Sequence, residues 1–186
     1  SIPVVISQIE KSKLRRTAKD VNNLDAALSK FMAYTNEIPA FDGNGKRDTI
    51  QLLVVGQAED PQDNTGTWAK ITRRDDGYNH LVNDSPQGAK GAYTSVGVKW
   101  DGPYMPDTKE DPWGRNYYIF VEPLYTPELS TSPDRIFGWI LSAGPNGILE
   151  TSTTSMSPND NPVNPAAGGD DLGRMIGKAN VYQPIQ

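Results

Sequence analysis

The sequence predicts an α+β domain: one long N-terminal helix packed on a small antiparallel sheet, with long loops around the strands. Three observations lead there. Apolar residues recur at helical spacing over about 7–36, and the clearest aromatic and β-branched runs lie in the second half. In addition, 17 Gly and 15 Pro give much of the length to turns. A chain of 186 residues suffices for one compact domain, so 1–186 is read as a single unit.

In the helix, Leu14, Ala18, Val21, Leu24, Leu28, Phe31 and Met32 fall at spacings of three and four. Lys11, Lys13, Arg15, Arg16, Lys19, Asp20 and Lys30 occupy the other side. The pattern suits a helix with one face on a sheet and lasts too few heptads for a free coiled coil. Asn36-Glu-Ile-Pro39 ends it, because proline disfavours helical geometry in the residue before it.

Residues 40–99 read as a variable region. Thr49 to Val55 is a compact apolar run whose length suits either a buried strand or a short helix. Asp60 to Gly66 and Asp75 to Tyr78 read as turns, and Asp84 to Gly91 as an exposed loop. Residues 100–186 hold the sheet and an acidic C-terminal loop. Asn116 to Val121 and Arg135 to Leu141 are strands by composition, joined by a loop containing Pro123, Pro127 and Pro133. A third strand is expected between Gly173 and Tyr182.

Composition narrows the function. Eighteen basic residues against 23 acidic ones give a net charge of −5, and no basic cluster exceeds Lys11 to Arg16. Nucleic-acid binding needs a concentrated basic face, so no such partner is expected. There is no cysteine, which excludes disulfides, thiolate metal sites and cysteine nucleophiles. The apolar piece at the start, Ile2 to Ile6, is far shorter than the ~20 residues that span a bilayer.

The second half carries a series of small motifs in fixed order. Trp100-Asp-Gly-Pro-Tyr104-Met-Pro106 is followed by Asp111-Pro-Trp-Gly114 and Tyr117, then Ser142-Ala-Gly-Pro-Asn-Gly147, then Gly169-Asp-Asp-Leu172. In Asp111-Pro-Trp-Gly114, Pro fixes φ at the second position, Gly permits the closing geometry and Asp accepts backbone N–H bonds. Trp113 is left to pack beneath the turn as a core anchor.

Behind an amphipathic helix, this order resembles the periplasmic domain of a type II secretion pseudopilin, most closely the major one. That family belongs to the type IV pilin-like group. The resemblance covers about 14–38, 100–147 and Asp170-Asp171, and not 40–99 or 148–168. It implies a pilin-like fold and a structural, non-catalytic role as a subunit of a short fibre that supports protein export across the outer membrane. The implied partners are copies of itself, other pseudopilins and the inner-membrane secretion platform. The implied location is the bacterial inner membrane with this domain in the periplasm, anchored through a hydrophobic helix preceding residue 1.

The resemblance also implies a structural calcium ion in the C-terminal loops. Calcium takes six to eight oxygens at ~2.3–2.6 Å. The Gly144-Pro-Asn-Gly147 turn offers carbonyls and the Asn146 amide oxygen, and Asp170 and Asp171 offer negative charge. The expected metal ligands are therefore Asn146, Asp170 and Asp171. Relatives more usually carry aspartate where Asn146 stands, which lowers the expected affinity. The same residues also suit two solvated turns whose acids point to water. Asp42-Gly-Asn-Gly-Lys-Arg-Asp48 resembles half a calcium loop, but Lys46 stands where an oxygen is wanted, and an Asx-type turn is expected there.

Catalysis finds little support. His80, the single histidine, has neither a serine elbow nor metal-ligand spacing around it. Asp107, Glu110, Asp111 and Glu122 could be paired for glycoside hydrolysis, but any acidic protein permits such a choice. The remaining alternatives are a minor pseudopilin or type IV pilin subunit and a secreted calcium- or carbohydrate-binding module.

Overall fold

A computed structural model of the protein describes residues 2–126, 137–153 and 170–177. Helix α1 (Ile2–Thr35) is followed by strands β1 (Leu52–Val55), β2 (Gln62–Asp63) and β3 (Arg74–Asp76), then a short helix α2 (Tyr78–Leu81). Strands β4 (Tyr117–Phe120), β5 (Phe137–Ser142), β6 (Ile148–Leu149) and β7 (Leu172–Gly177) follow among the described residues. The fold is mixed α/β, one long helix on a small five-stranded sheet.

Helix α1 stops one turn before Pro39. Asn36 takes a left-handed conformation (φ 57°) and donates its N–H to Met32 O at 2.9 Å. Asparagine tolerates that geometry better than most residues. The Thr35 hydroxyl donates to Phe31 O at 2.7 Å and accepts the Glu37 N–H at 3.1 Å, which fixes the exit of the chain.

The sheet order is β3-β1-β4-β5-β7. β4 pairs antiparallel with β1 and β5, and β5 pairs antiparallel with β7. β3 joins β1 in parallel, so the expected antiparallel sheet is in fact mixed. The reason is the connection. A hairpin can reverse direction in two residues, whereas the segment 56–73 crosses one face of the sheet and returns in the original direction. On its way it forms β2, which pairs in parallel with β6. Asp60 to Gly66 and Asp75 to Tyr78, expected as turns, therefore contain strand residues.

Thr49 to Val55 resolves as a strand because its side chains alternate between two cores. Leu53 and Val55, with Tyr117, Ile119, Val121, Ile140 and Ile176, face α1. Leu52, with Tyr118, Phe120, Trp139 and Leu141, faces the crossing segment. Covering both faces explains why all four residues of β4 are buried. The second core is plugged by Trp68, whose ring lies 5.4 Å from Phe120 and 5.7 Å from Tyr118 between centroids. Its Nε1–H donates to Thr151 O at 2.7 Å.

The helix buries Val21, Leu24, Leu28, Phe31 and Met32 as expected, with Thr17 and Ala27. Leu14 is 42% exposed and Ala18 is exposed, against the expected stripe. Among the side chains described, burial on α1 begins only at Thr17. Two polar contacts lock the helix to the sheet: Tyr117 Oη–H to Asp20 at 2.8 Å, and Arg174 to Asp25 at 2.7 Å.

Removing the Trp68 ring empties the second core and orphans the Thr151 carbonyl. Trp68→Ala is expected to cost about 3–5 kcal/mol, read as a lower urea midpoint at unchanged slope. A change below about 1 kcal/mol would mean that the crossing segment does not help hold the sheet.

Candidate metal centre

The expected ligands sit where two loops meet at one end of β5 and β7, and Asp111 builds the approach to them. In the Asp111-Pro-Trp-Gly114 turn, Asp111 Oδ1 accepts the N–H groups of Trp113 (3.0 Å) and Arg115 (2.9 Å). Its Oδ2 accepts the Ser142 hydroxyl at 2.7 Å, and Ser142 Oγ accepts the Gly144 N–H at 3.1 Å. One buried carboxylate thus ties two of the sequence motifs together at the end of β5. Trp113 lies against α1, with Nε1–H directed to Glu10 at 3.4 Å, and is half-buried rather than a core anchor.

Gly144 and Gly147 have φ of 65° and 70°, and the Gly147 N–H closes the turn on Gly144 O at 3.2 Å. At Gly144 a Cβ would strike the Asp170 carbonyl, so the two loops touch through bare backbone there.

Asn146 is exposed and turns its amide oxygen inward, accepting the Ile148 N–H at 2.8 Å. Its Nδ2–H points to Glu150 Oε2 at 3.4 Å, and the Asp170 N–H donates to the same oxygen at 3.0 Å. Asp171 Oδ2 accepts the N–H groups of Glu150 (3.0 Å) and Thr151 (2.6 Å). The three expected ligands are therefore brought around Glu150, a residue the sequence reading passed over because it lies in the segment that the resemblance does not cover. Asp170 and Asp171 do not act as a pair. Asp170 is exposed and Asp171 is 1% exposed.

Asp171 carries an unusual charge. Burial pushes its carboxyl up to about 6, against the hydrogen bonds from Thr151 and Glu150 that pull it down, and the nearby Glu150 charge adds to the rise. Among the described residues its Oδ1 is buried without a hydrogen-bond partner, as is the Thr151 hydroxyl. A buried acceptor left unpaired is costly, and a proton or a hard cation would each relieve it. Oxygen-only donors, two of them carboxylates, fit calcium rather than a soft metal. Among the described residues no group of three or more His, Cys, Asp or Glu is placed to hold a metal ion. Residues 154–169 of the intervening loop lie outside the described residues.

The other candidates are structural. Asp42 Oδ1 accepts the N–H groups of Asn44 and Lys46, both at 2.9 Å, which is the expected Asx-type turn. His80 is fully buried. Its Nε2 lies 2.7 Å from Asp75 Oδ2, and its Nδ1 lies 2.6 Å from Tyr93 Oη. Since an ionised Asp75 only accepts, Nε2 donates to it, and Nδ1 shares a hydrogen bond with the Tyr93 hydroxyl. Burial acts to raise the Asp75 carboxyl, but the bonds from His80, Gln87 and Asn79 outweigh it and leave the group below its ordinary value.

Comparisons with models of known protein families, with curated proteins and with solved structures found no match.

The Asp171 carboxyl generates a pH prediction. Its folded value of about 6 exceeds the ordinary 3.8, so the folded state holds the extra proton between them. The stability this group contributes is present below the ordinary value and lost as pH rises through about 6. Calcium needs the ionised form, so the calcium-induced rise in Tm should be several degrees at pH 7 and smaller at pH 5. Asp171→Asn should remove both the calcium response and this pH term, taken as the difference from the parent. A calcium response that survives in Asp171→Asn would place any ion elsewhere.

Proposed function

We propose that the chain is the periplasmic domain of a type II secretion pseudopilin. It is a non-catalytic subunit that polymerises through a membrane-anchored N-terminal helix to support protein export across the outer membrane. The observation that carries this reading is the junction around Asp111. Motifs spread over 111–171, which carry the resemblance, meet at one end of the sheet, linked by Asp111, Ser142, Gly144 and Asp170. A long N-terminal helix packed on the adjacent sheet also accords with a pilin-like subunit. Among the described residues no helix is long and apolar enough to cross a membrane, and the anchor is proposed to precede residue 1.

In this reading a structural calcium ion would draw on Glu150, Asp170 and the free oxygen of Asp171, with Asn146 beside them. The ion would supply charge compensation for buried carboxylates and hold the loops in one shape before assembly. Ordering a loop in advance lowers the entropy lost when copies pack together. One feature favours a minor subunit over the major one. The region 40–99, which the resemblance does not cover, is elaborated, with its own buried Asp75–His80–Tyr93 chain.

The test uses the full-length protein with its preceding segment, expressed with the secretion platform. Sheared fibres containing this subunit should appear in calcium and fall to background with chelator or in Asp170→Ala plus Asp171→Ala. A full-length protein that stays monomeric by cross-linking in the membrane, in calcium, would overturn the fibre-subunit reading.

A further inference from the structure

A groove of about 780 Å³ runs along α1 beside the loop from Tyr104 to Lys109. One wall is the helix face from Arg16 to Lys30, and the loop forms the other. Tyr117 closes the floor, its hydroxyl donating to Asp20 at 2.8 Å. The residues of the candidate metal centre line none of it. Its charge departs from that of the whole chain. Arg16, Lys19, Lys30 and Lys109 line it against Asp20 and Asp107, in a protein with a net charge of −5. Arg16 and Asp20 already pair at 3.5 Å, and Arg16 also donates to Glu110 O at 3.0 Å. Lys19, Lys30 and Lys109 are exposed and have no ion-pair partner among the described residues.

The cations are spread along the groove rather than gathered at one point. Lys109 precedes Glu110, whose carbonyl holds Arg16, so Arg16, Lys19 and Lys109 mark one end. Lys30 marks the other, where Tyr104 packs edge-on to Phe31 at 5.3 Å. Between them lie small or apolar side chains, Asn23, Ala26 and Ala27 on the helix and Met105 and Pro106 on the loop. Beyond Lys30 the apolar surface continues onto Tyr34, which is 60% exposed and lies 6.4 Å from Tyr104 between ring centroids.

Shape and charge together select the occupant. Arg16 to Lys30 spans about 21 Å of helix, so the volume corresponds to a mean cross-section of about 37 Å². An α-helix, at least about 10 Å across, needs roughly twice that, whereas an extended chain fits. A single-chain lipid carries its charge at one end and leaves the lysines at the other unanswered. Lys19 and Lys30 are about 16 Å apart along the helix, the length of about five residues of extended chain. Asn23, exposed and without a side-chain hydrogen bond among the described residues, offers a donor and an acceptor to the backbone of such a chain. Asp107 in the opposite wall disfavours a further acid in the middle.

We propose that this groove is a docking site for an extended segment of a different protein, with acidic residues about five apart around small apolar ones. The acids answer Lys19 and Lys109 at one end and Lys30 at the other, and the apolar middle lies over Ala26 and Met105. Exposed ion pairs add little affinity one by one. They choose the sequence and steer its approach, while burial of the apolar middle holds it. The proposal does not depend on the fibre-subunit reading, because it concerns a heterologous partner and one face of a single copy.

Selection from a random octapeptide library on the immobilised protein should enrich acids about five positions apart with none between them. A selected peptide titrated into protein with labelled methionine methyl groups should move the Met105 resonance, assigned through Met105→Leu. The resonance of buried Met32 should stay in place. Lys19→Glu plus Lys30→Glu should weaken binding about tenfold, and so should 1 M salt. Ala26→Trp, which fills the middle of the groove, should abolish it. All three positions are exposed, so the circular dichroism and Tm of the variants should match the parent. Selected peptides without the spaced acids, or binding that leaves Met105 unmoved or survives both variants, would overturn the proposal. Dodecyl phosphate that moves Met105 where no selected peptide does would assign the groove to a single-ended amphiphile and overturn it as well.

Discussion

The carboxylate of Asp111 is the contact on which the arrangement of the motifs depends. It sits 1% exposed beneath its own turn, with one oxygen on two backbone N–H groups of that turn ahead of β4 and the other on the hydroxyl that ends β5. A carboxylate accepting several N–H and O–H bonds in a low-dielectric setting makes charge-assisted contacts roughly twice as strong as neutral ones. The same device recurs. Asp63 holds the N–H groups of Thr65, Gly66 and Ala69, Asp84 holds those of Tyr93 and Thr94, and Asp171 holds those of Glu150 and Thr151. In a chain without disulfides, aspartates acting on backbone amides fasten the long loops.

The sheet is the rigid reference for these fastenings because it is buried on both faces. Helix α1 covers one face and the crossing segment with Trp68 covers the other, so the ends of β4, β5 and β7 have little freedom. Asp111 anchors to the end of one strand and Asp171 precedes another. The candidate metal centre therefore inherits its geometry from the two cores. Two of its buried oxygens, Asp171 Oδ1 and the Thr151 hydroxyl, have no hydrogen-bond partner among the described residues. A proton or a hard cation on Asp171 would each relieve the first of these.

Much of this was legible in the sequence. The helix from the 3.6-residue periodicity, the strands at Tyr117 and Phe137, the strand after Asp171 and the Asx turn at Asp42 each follow from local chemistry that tertiary context does not reverse. What escaped had a common cause. Trp68 sits in a stretch of Asn, Thr and Gly that reads as turn, and its importance arises only when it meets Tyr118, Phe120 and Thr151 from far along the chain. The parallel β3 is three residues long, two of them aspartate, which no strand propensity favours. Glu150 was passed over because its neighbours give no motif, and the opposite burial of Asp170 and Asp171 depends on where β7 begins. Leu14 fits the helical stripe but is 42% exposed, because among the described residues only the Asp111–Gly114 turn, through Trp113 beside Glu10, reaches that part of α1.

The brevity of β3 has a consequence for crowding. It forms one rim of the sheet, and a rim normally offers unpaired backbone groups to any strand that approaches. Here the rim is Arg74-Asp75-Asp76, with Arg74 bonded to Asp60 and Asp75 drawn inward to His80. A newcomer would meet three charged residues and too little length to align against. Protection of this kind lets many identical molecules be held side by side at high local concentration without their sheets fusing. At this rim, contact between copies is left to side-chain surfaces, which can be broken and remade, rather than to a continuous backbone ladder.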